Sequence, residues 1–119
     1  MKTDKTYLED ILEAIRRIQE YTSDGEEAFF RSTMIQDAVI RNFEVIGEAA
    51  GKLSLRARLN RNIPWRQIIA FRNVLIHDYG NVNLKIVWRT VRDELPTLKR
   101  ELEQYLQGRL EDDEPVTGL

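Results

Sequence analysis

Apolar residues recur along this chain every three or four positions, and no stretch alternates with the period of two that marks a strand. Leu8, Ile11, Leu12, Ile15 and Ile18 form one stripe, which predicts a helix from about Asp4 to Tyr21. Thr6 and Glu9 have capping-box spacing, which would start that helix two residues later. Ser23-Asp24-Gly25 breaks it. A long second helix is expected from Glu26 or Ser32 to Leu53, with Phe30, Met34, Ala38, Phe43, Ile46, Ala50 and Leu53 facing inward. Gly47, Ala49, Ala50 and Gly51 keep its second half small, so another helix can approach closely.

A basic loop, LSLRARLNRNIP, follows, and Pro64 suits the first turn of a third helix ending near His77 or Tyr79. After a turn at residues 81–83, Asn83 is placed to cap a fourth helix carrying Val87, Trp88, Val91, Leu95, Leu98, Leu102 and Leu106. Pro96 falls inside that pattern and should kink it, because it removes a donor and crowds the preceding turn. The expected fold is all-α: an up-down bundle of four main helices in one domain, residues 1–107. Residues 108–119 read as an acidic, flexible C-terminal tail.

The third helix, which contains FRNVLIHDYG, does not read as a simple amphipathic element. At 100° per residue from Arg72, the residues Ile68, Phe71, Val74, Leu75 and Asp78 occupy a sector of roughly 200–320°. Ile69, Ala70, Arg72, Asn73, Ile76 and His77 occupy roughly 0–160°, and Tyr79 lies close to the angle of Arg72. The first sector resembles an ordinary core face. The second mixes apolar with polar groups, so the helix should be covered on both sides. In a chain this small the second cover would be another copy of the protein, with Arg72, Asn73 and His77 at or beside a dimer interface.

Composition narrows the chemistry. The chain has 119 residues, one histidine and no cysteine, which removes disulfides, thiolate metal sites and cysteine nucleophiles. One histidine and no cysteine also leave too few nitrogen and sulfur ligands for the usual zinc site within one chain, whereas magnesium on carboxylates stays open. No apolar run approaches a membrane span and the N-terminus lacks a signal core, so a cytoplasmic location is expected. The net charge is −2, yet residues 49–77 contain no acid while Lys52, Arg56, Arg58, Arg61, Arg66 and Arg72 lie within them. That strip is either a phosphate-contacting surface or a solvated helix end and loop.

Histidine exchanges a proton near neutral pH, arginine grips a phosphate through a two-pronged fork, and asparagine can donate to phosphate or orient the imidazole. The motif holds no serine, threonine or cysteine to act as nucleophile. RNA brings its own in the adjacent 2′-hydroxyl. One histidine per chain leaves the acid–base pair incomplete, and a two-fold dimer would supply the second copy. A lone histidine beside an arginine in a helix is, on residue chemistry alone, more often structural than catalytic.

Arg72-Asn73, three residues, His77, one residue and Tyr79 resemble the R-x4-H-x-Y signature of the HEPN superfamily, in its HepT-like toxin branch. RNFEVIGEAAGKLS, IPWRQIIAFRNVLIHDYG and VWRTVRDELPTLKRELEQYL follow that family's order of blocks over roughly residues 5 to 107. The resemblance implies a homodimeric, metal-independent endoribonuclease, without cofactor, that is the toxin of a toxin–antitoxin pair. Arg72 and His77 would be the catalytic pair and Asn73 their support. Tyr79 would be the residue to which a minimal nucleotidyltransferase antitoxin transfers AMP from ATP. Lys52, Arg56, Arg58, Arg61 and Arg66 are the candidate RNA contacts. Glu48 is either a partner for Arg72 or part of the helix packing. Two other functions fit the residues: a non-catalytic accessory subunit or scaffold for a nucleotidyltransferase, and a plain RNA- or nucleotide-binding dimer.

Overall fold

The computed structural model describes residues 2–59, 62–78 and 80–112, with side chains to 108. Among these, six α-helices account for nearly all regular structure and no strand is present. They are α1 (Asp4–Tyr21), α2 (Glu26–Arg31), α3 (Thr33–Gly51), α4 (Trp65–His77), α5 (Leu84–Arg89) and α6 (Leu95–Asp112). A 3-10 turn (Ala57–Leu59) interrupts the α3–α4 loop, and a π-helical segment (Thr90–Glu94) joins α5 to α6.

The stripe on α1 is core as its spacing requires, with Leu8, Ile11, Ile15 and Ile18 wholly buried. Burial of each such side chain contributes roughly 1.5–3 kcal/mol. Helix α1 starts at Asp4 rather than two residues later, because Thr3 is the cap and accepts from the Thr6 amide at 3.3 Å. Its N-terminus is tied to the far end of α3. Asp4 accepts from the backbone amide of Ser54 at 2.9 Å and from its hydroxyl at 2.6 Å, so α1 and α3 run antiparallel.

The long second helix opens at the later of its two expected starts, Ser32, and the residues from Glu26 form a separate short helix, α2. Ser32 has an extended backbone (φ −114°, ψ 109°) and caps α3 by accepting from the Ile35 amide at 3.1 Å. Gln36 donates to the carbonyls of Phe29 and Phe30, which closes the end of α2. This corner changes which residues face inward. Phe29 is wholly buried, whereas Phe30 and Met34, expected inside, are 38% and 78% exposed.

Helix α3 lies between α1 and α4 and makes extensive contacts with both, while α6 returns against α1. Asn83 caps α5 as expected, accepting from the Lys85 and Ile86 amides. Pro96 is accommodated by a wide turn directly upstream, where the Leu95 amide bonds to the Thr90 carbonyl five residues back. Helix α6 then runs through Gly108, the boundary expected from composition, to Asp112. No helix among the described residues is long and apolar enough to cross a membrane.

Candidate active site

The buried face of α4 is rotated relative to the face its hydropathy predicts. Trp65 and Leu75 are buried, Ile68, Ile69, Phe71 and Arg72 are half-buried, and Val74, expected in the core, is 53% exposed. Arg72 therefore lies near the middle of the packed sector. The reason is Gly47, where a Cβ would overlap Arg72 Cβ and approach its Cγ to 2.7 Å. The missing side chain on α3 admits the aliphatic stem of Arg72 between the helices, an arrangement open to a long cation whose stem is apolar. Phe43 of α3 braces the next position, edge-on to Phe71 at 5.2 Å.

Fixing the stem fixes the guanidinium. One prong, Nη1, donates to Oδ1 of Asn73 at 3.2 Å, and Nε is buried without a hydrogen-bond partner. A buried donor left unpaired costs on the order of 1–3 kcal/mol, which an added acceptor would recover. His77 is the last residue of α4 and is exposed, as are Asn73, Ala70 and Arg66. These four recur at seven- and four-residue offsets, so they share one face of the helix. His77 lies five residues beyond Arg72, a separation of about 7.5 Å along the axis. Tyr79 and Arg61 lie outside the described residues.

The basic strip divides on inspection. Arg58 turns back to donate to the carbonyls of Leu53 (3.2 Å) and Gly51 (2.6 Å), closing the C-terminus of α3. Lys52 pairs with Glu48 at 3.6 Å on the side facing α1. Glu48, about half exposed in that pair, is therefore neither packed nor bonded to Arg72. Arg56 and Arg66 are exposed, and only Arg66 shares the face of α4 that carries Asn73 and His77. Among the described residues no three His, Cys, Asp or Glu side chains gather as a metal site. An apolar groove of about 630 Å3, lined by Phe43, Ile46, Ile68, Phe71, Leu95 and Leu98, lies between α4 and the α5–α6 rod and does not include Arg72 or His77.

Residues 11–105 match the family model described as ribonuclease HepT-like. The chain belongs to this HEPN-type family. A HepT-like relative named probable ribonuclease HepT, from Thermococcus cleftensis, is 41% identical over 87% of the chain and 96% of its own length. Another, from Caldanaerobacter subterraneus subsp. tengcongensis and named as an RNase, is 35% identical over 90% and 97%. A third, from Methanocaldococcus jannaschii, has a name that joins a gamma-glutamylcyclotransferase to an RNase, and is 43% identical over 89% of the chain. The chain spans about half, 49%, of that protein's length. No solved structure matches.

One further cluster of cations on this HepT-like chain lies outside the strip at residues 49–77. Lys85, Arg89 and Arg92 project from the start of the fourth predicted helix at spacings of four and three, which places cations on one side of the helix. The apolar stripe of that helix is the stronger periodic signal and hides them.

Proposed function

We propose that this HepT-like protein is a metal-independent endoribonuclease that cuts RNA by attack of the 2′-hydroxyl on the adjacent phosphate. The observation that carries the reading is the state of Arg72: a stem held by Gly47, one prong on Asn73, and a buried Nε with no acceptor. A scissile phosphate supplies the oxygens such a fork lacks, and charge developing on them in the transition state is where fixed donors are worth most. His77 moves the proton, as base toward the 2′-hydroxyl or as acid toward the leaving 5′-oxygen. A symmetric dimer through the outward face of α4 provides both roles from two copies of His77 and two of Arg72. The exposed Val74, beside His77 on that face, supports such a contact.

In the same reading the protein acts in the cytoplasm as the toxin of a toxin–antitoxin pair, and residues 1–107 carry the activity. A partner nucleotidyltransferase silences it by transferring AMP to Tyr79. The added phosphate is drawn to Arg72 and the nucleoside takes up space the RNA needs. The test is to incubate unmodified protein with such a partner and ATP. RNA cleavage in EDTA should disappear as the chain gains the mass of AMP at Tyr79, and Tyr79→Phe should stay active throughout. Silencing of Tyr79→Phe under the same conditions would reject the tyrosine as the switch.

A further inference from the structure

A cleft of about 400 Å3 opens between α2 and α5, away from the motif helix. It is lined by Phe30, Trp88, Lys85, Arg89, Arg92 and a single carboxylate, that of Glu26. The aromatic wall is braced from behind. Phe29, wholly buried, meets Phe30 edge-on at 5.2 Å and lies against Trp88 at 5.4 Å. Phe30 is nonetheless 38% exposed, a large ring held in place with solvent on one side.

The cations of the cleft are not equivalent. Arg92 is occupied by Asp93 through two bonds of 2.7 and 2.9 Å, and that bonding, with the nearby charge of Arg89, holds the Asp93 carboxyl below its ordinary range. Lys85 and Arg89 make no ion pair within 4 Å among the described residues and stand one helical turn apart beside the rings.

We propose that this cleft is a binding site for single-stranded RNA, with a base stacked on the Phe30–Trp88 wall and the flanking phosphates on Lys85 and Arg89. Aromatic faces beside unpaired cations form the usual platform for unpaired nucleic acid, because every base has a stacking face and every nucleotide a phosphate. A protein helix would need a continuous apolar strip, and here the rings are interleaved with charge. One RNA strand of several nucleotides is long enough to reach from the motif to this cleft. Lys85 follows His77 by eight residues, which can span no more than about 29 Å. The inference rests on the ribonuclease reading of α4 and names where a flanking part of the same substrate is held.

The test uses a fluorescent single-stranded deoxyoligonucleotide, which lacks the 2′-hydroxyl and so reports binding independently of cleavage. The Lys85→Gln/Arg89→Gln double variant should bind it roughly tenfold more weakly at physiological salt, with the salt slope reduced by about 1.4. Phe30→Ser should weaken binding of that strand and leave binding of an abasic strand of equal length unchanged. Because Lys85 and Arg89 are exposed, the double variant decides the matter even if Phe30→Ser melts early. Unchanged affinity and salt slope in a double variant that melts like the parent would overturn the proposal, pointing the cleft toward a protein partner, and would leave the ribonuclease reading standing. Loss of the ribonuclease reading alone would appear as no RNA cleavage by the unmodified parent while the binding differences persist.

Discussion

Gly47 of α3 and Arg72 of α4 are fitted to each other: the glycine has no side chain where the arginine stem passes, and a methyl group there would overlap Arg72 Cβ. Cβ cannot swing aside as the far end of a flexible chain can, so the helices themselves must move. Gly47→Ala should therefore destabilise the protein by about 1–3 kcal/mol, in line with other overpacked interiors. Gly51, four residues on in the same helix, has open space around its would-be Cβ and no positive φ. Gly51→Ala should instead stabilise by up to about 1 kcal/mol, through the lost freedom of the unfolded chain. Denaturant midpoints of the two variants should move in opposite directions. A shared direction would mean that the Gly47 contact is not what limits the approach of α3 and α4.

Arg56 and Arg58 lie two residues apart and should behave differently. Arg58 bonds the carbonyl of Gly51, the last residue of α3, and that of Leu53 just beyond it, so Arg58→Ala should lower stability by roughly 0.5–1.5 kcal/mol. Arg56 is exposed, and Arg56→Ala should leave stability within about 0.5 kcal/mol. If Arg56 contacts RNA, its removal should lower the salt slope of binding by roughly 0.7. Thermal melts and a salt titration of binding separate the two.

The clasp between Asp4 and Ser54 joins residues fifty positions apart and anchors the basic loop on the start of α1. Asp4→Ala should cost about 1–2 kcal/mol and loosen that loop. Faster amide exchange at Ser54 and Ala57, whose amide donates to the Ser54 hydroxyl, is the signature to look for. Exchange unchanged at both amides would make the clasp incidental.

Asn83 holds the first turn of α5, immediately after the motif loop, through two amides. Asn83→Ala should cost about 1 kcal/mol. Because Lys85 and Arg89 follow in that helix, the variant should also weaken binding of single strands. Unaltered stability and binding together would show that α5 needs no cap there.

Much of the fold was legible because it rests on period alone. The stripe of α1, the cap at Asn83 and the leucines of α6 follow from 3.6-residue spacing and local capping chemistry. Two features were not. The choice between Glu26 and Ser32 as the start of the long helix depends on Gln36 reaching back to the α2 carbonyls, a contact between elements that spacing does not reveal. The rotation of α4 is hidden from hydropathy because Arg72 counts as polar, whereas its stem is the part that packs. Gly47 is the available clue: the small residues around it signal close approach, but not that the slot takes an arginine. The motif residues were found in sequence, yet the buried, unpaired Nε of Arg72 is a fact of packing.

Arg72 and His77 are the residues proposed to act on RNA. The most direct measurement is single-turnover cleavage of a defined RNA in EDTA by the parent and by His77→Ala, after mass spectrometry shows Tyr79 bare in both. His77 is exposed at the end of α4, so its removal should leave the melting temperature nearly unchanged. The parent should yield fragments with 5′-hydroxyl ends, and His77→Ala should yield none above background. Cleavage by the folded variant at the parental rate would contradict the account.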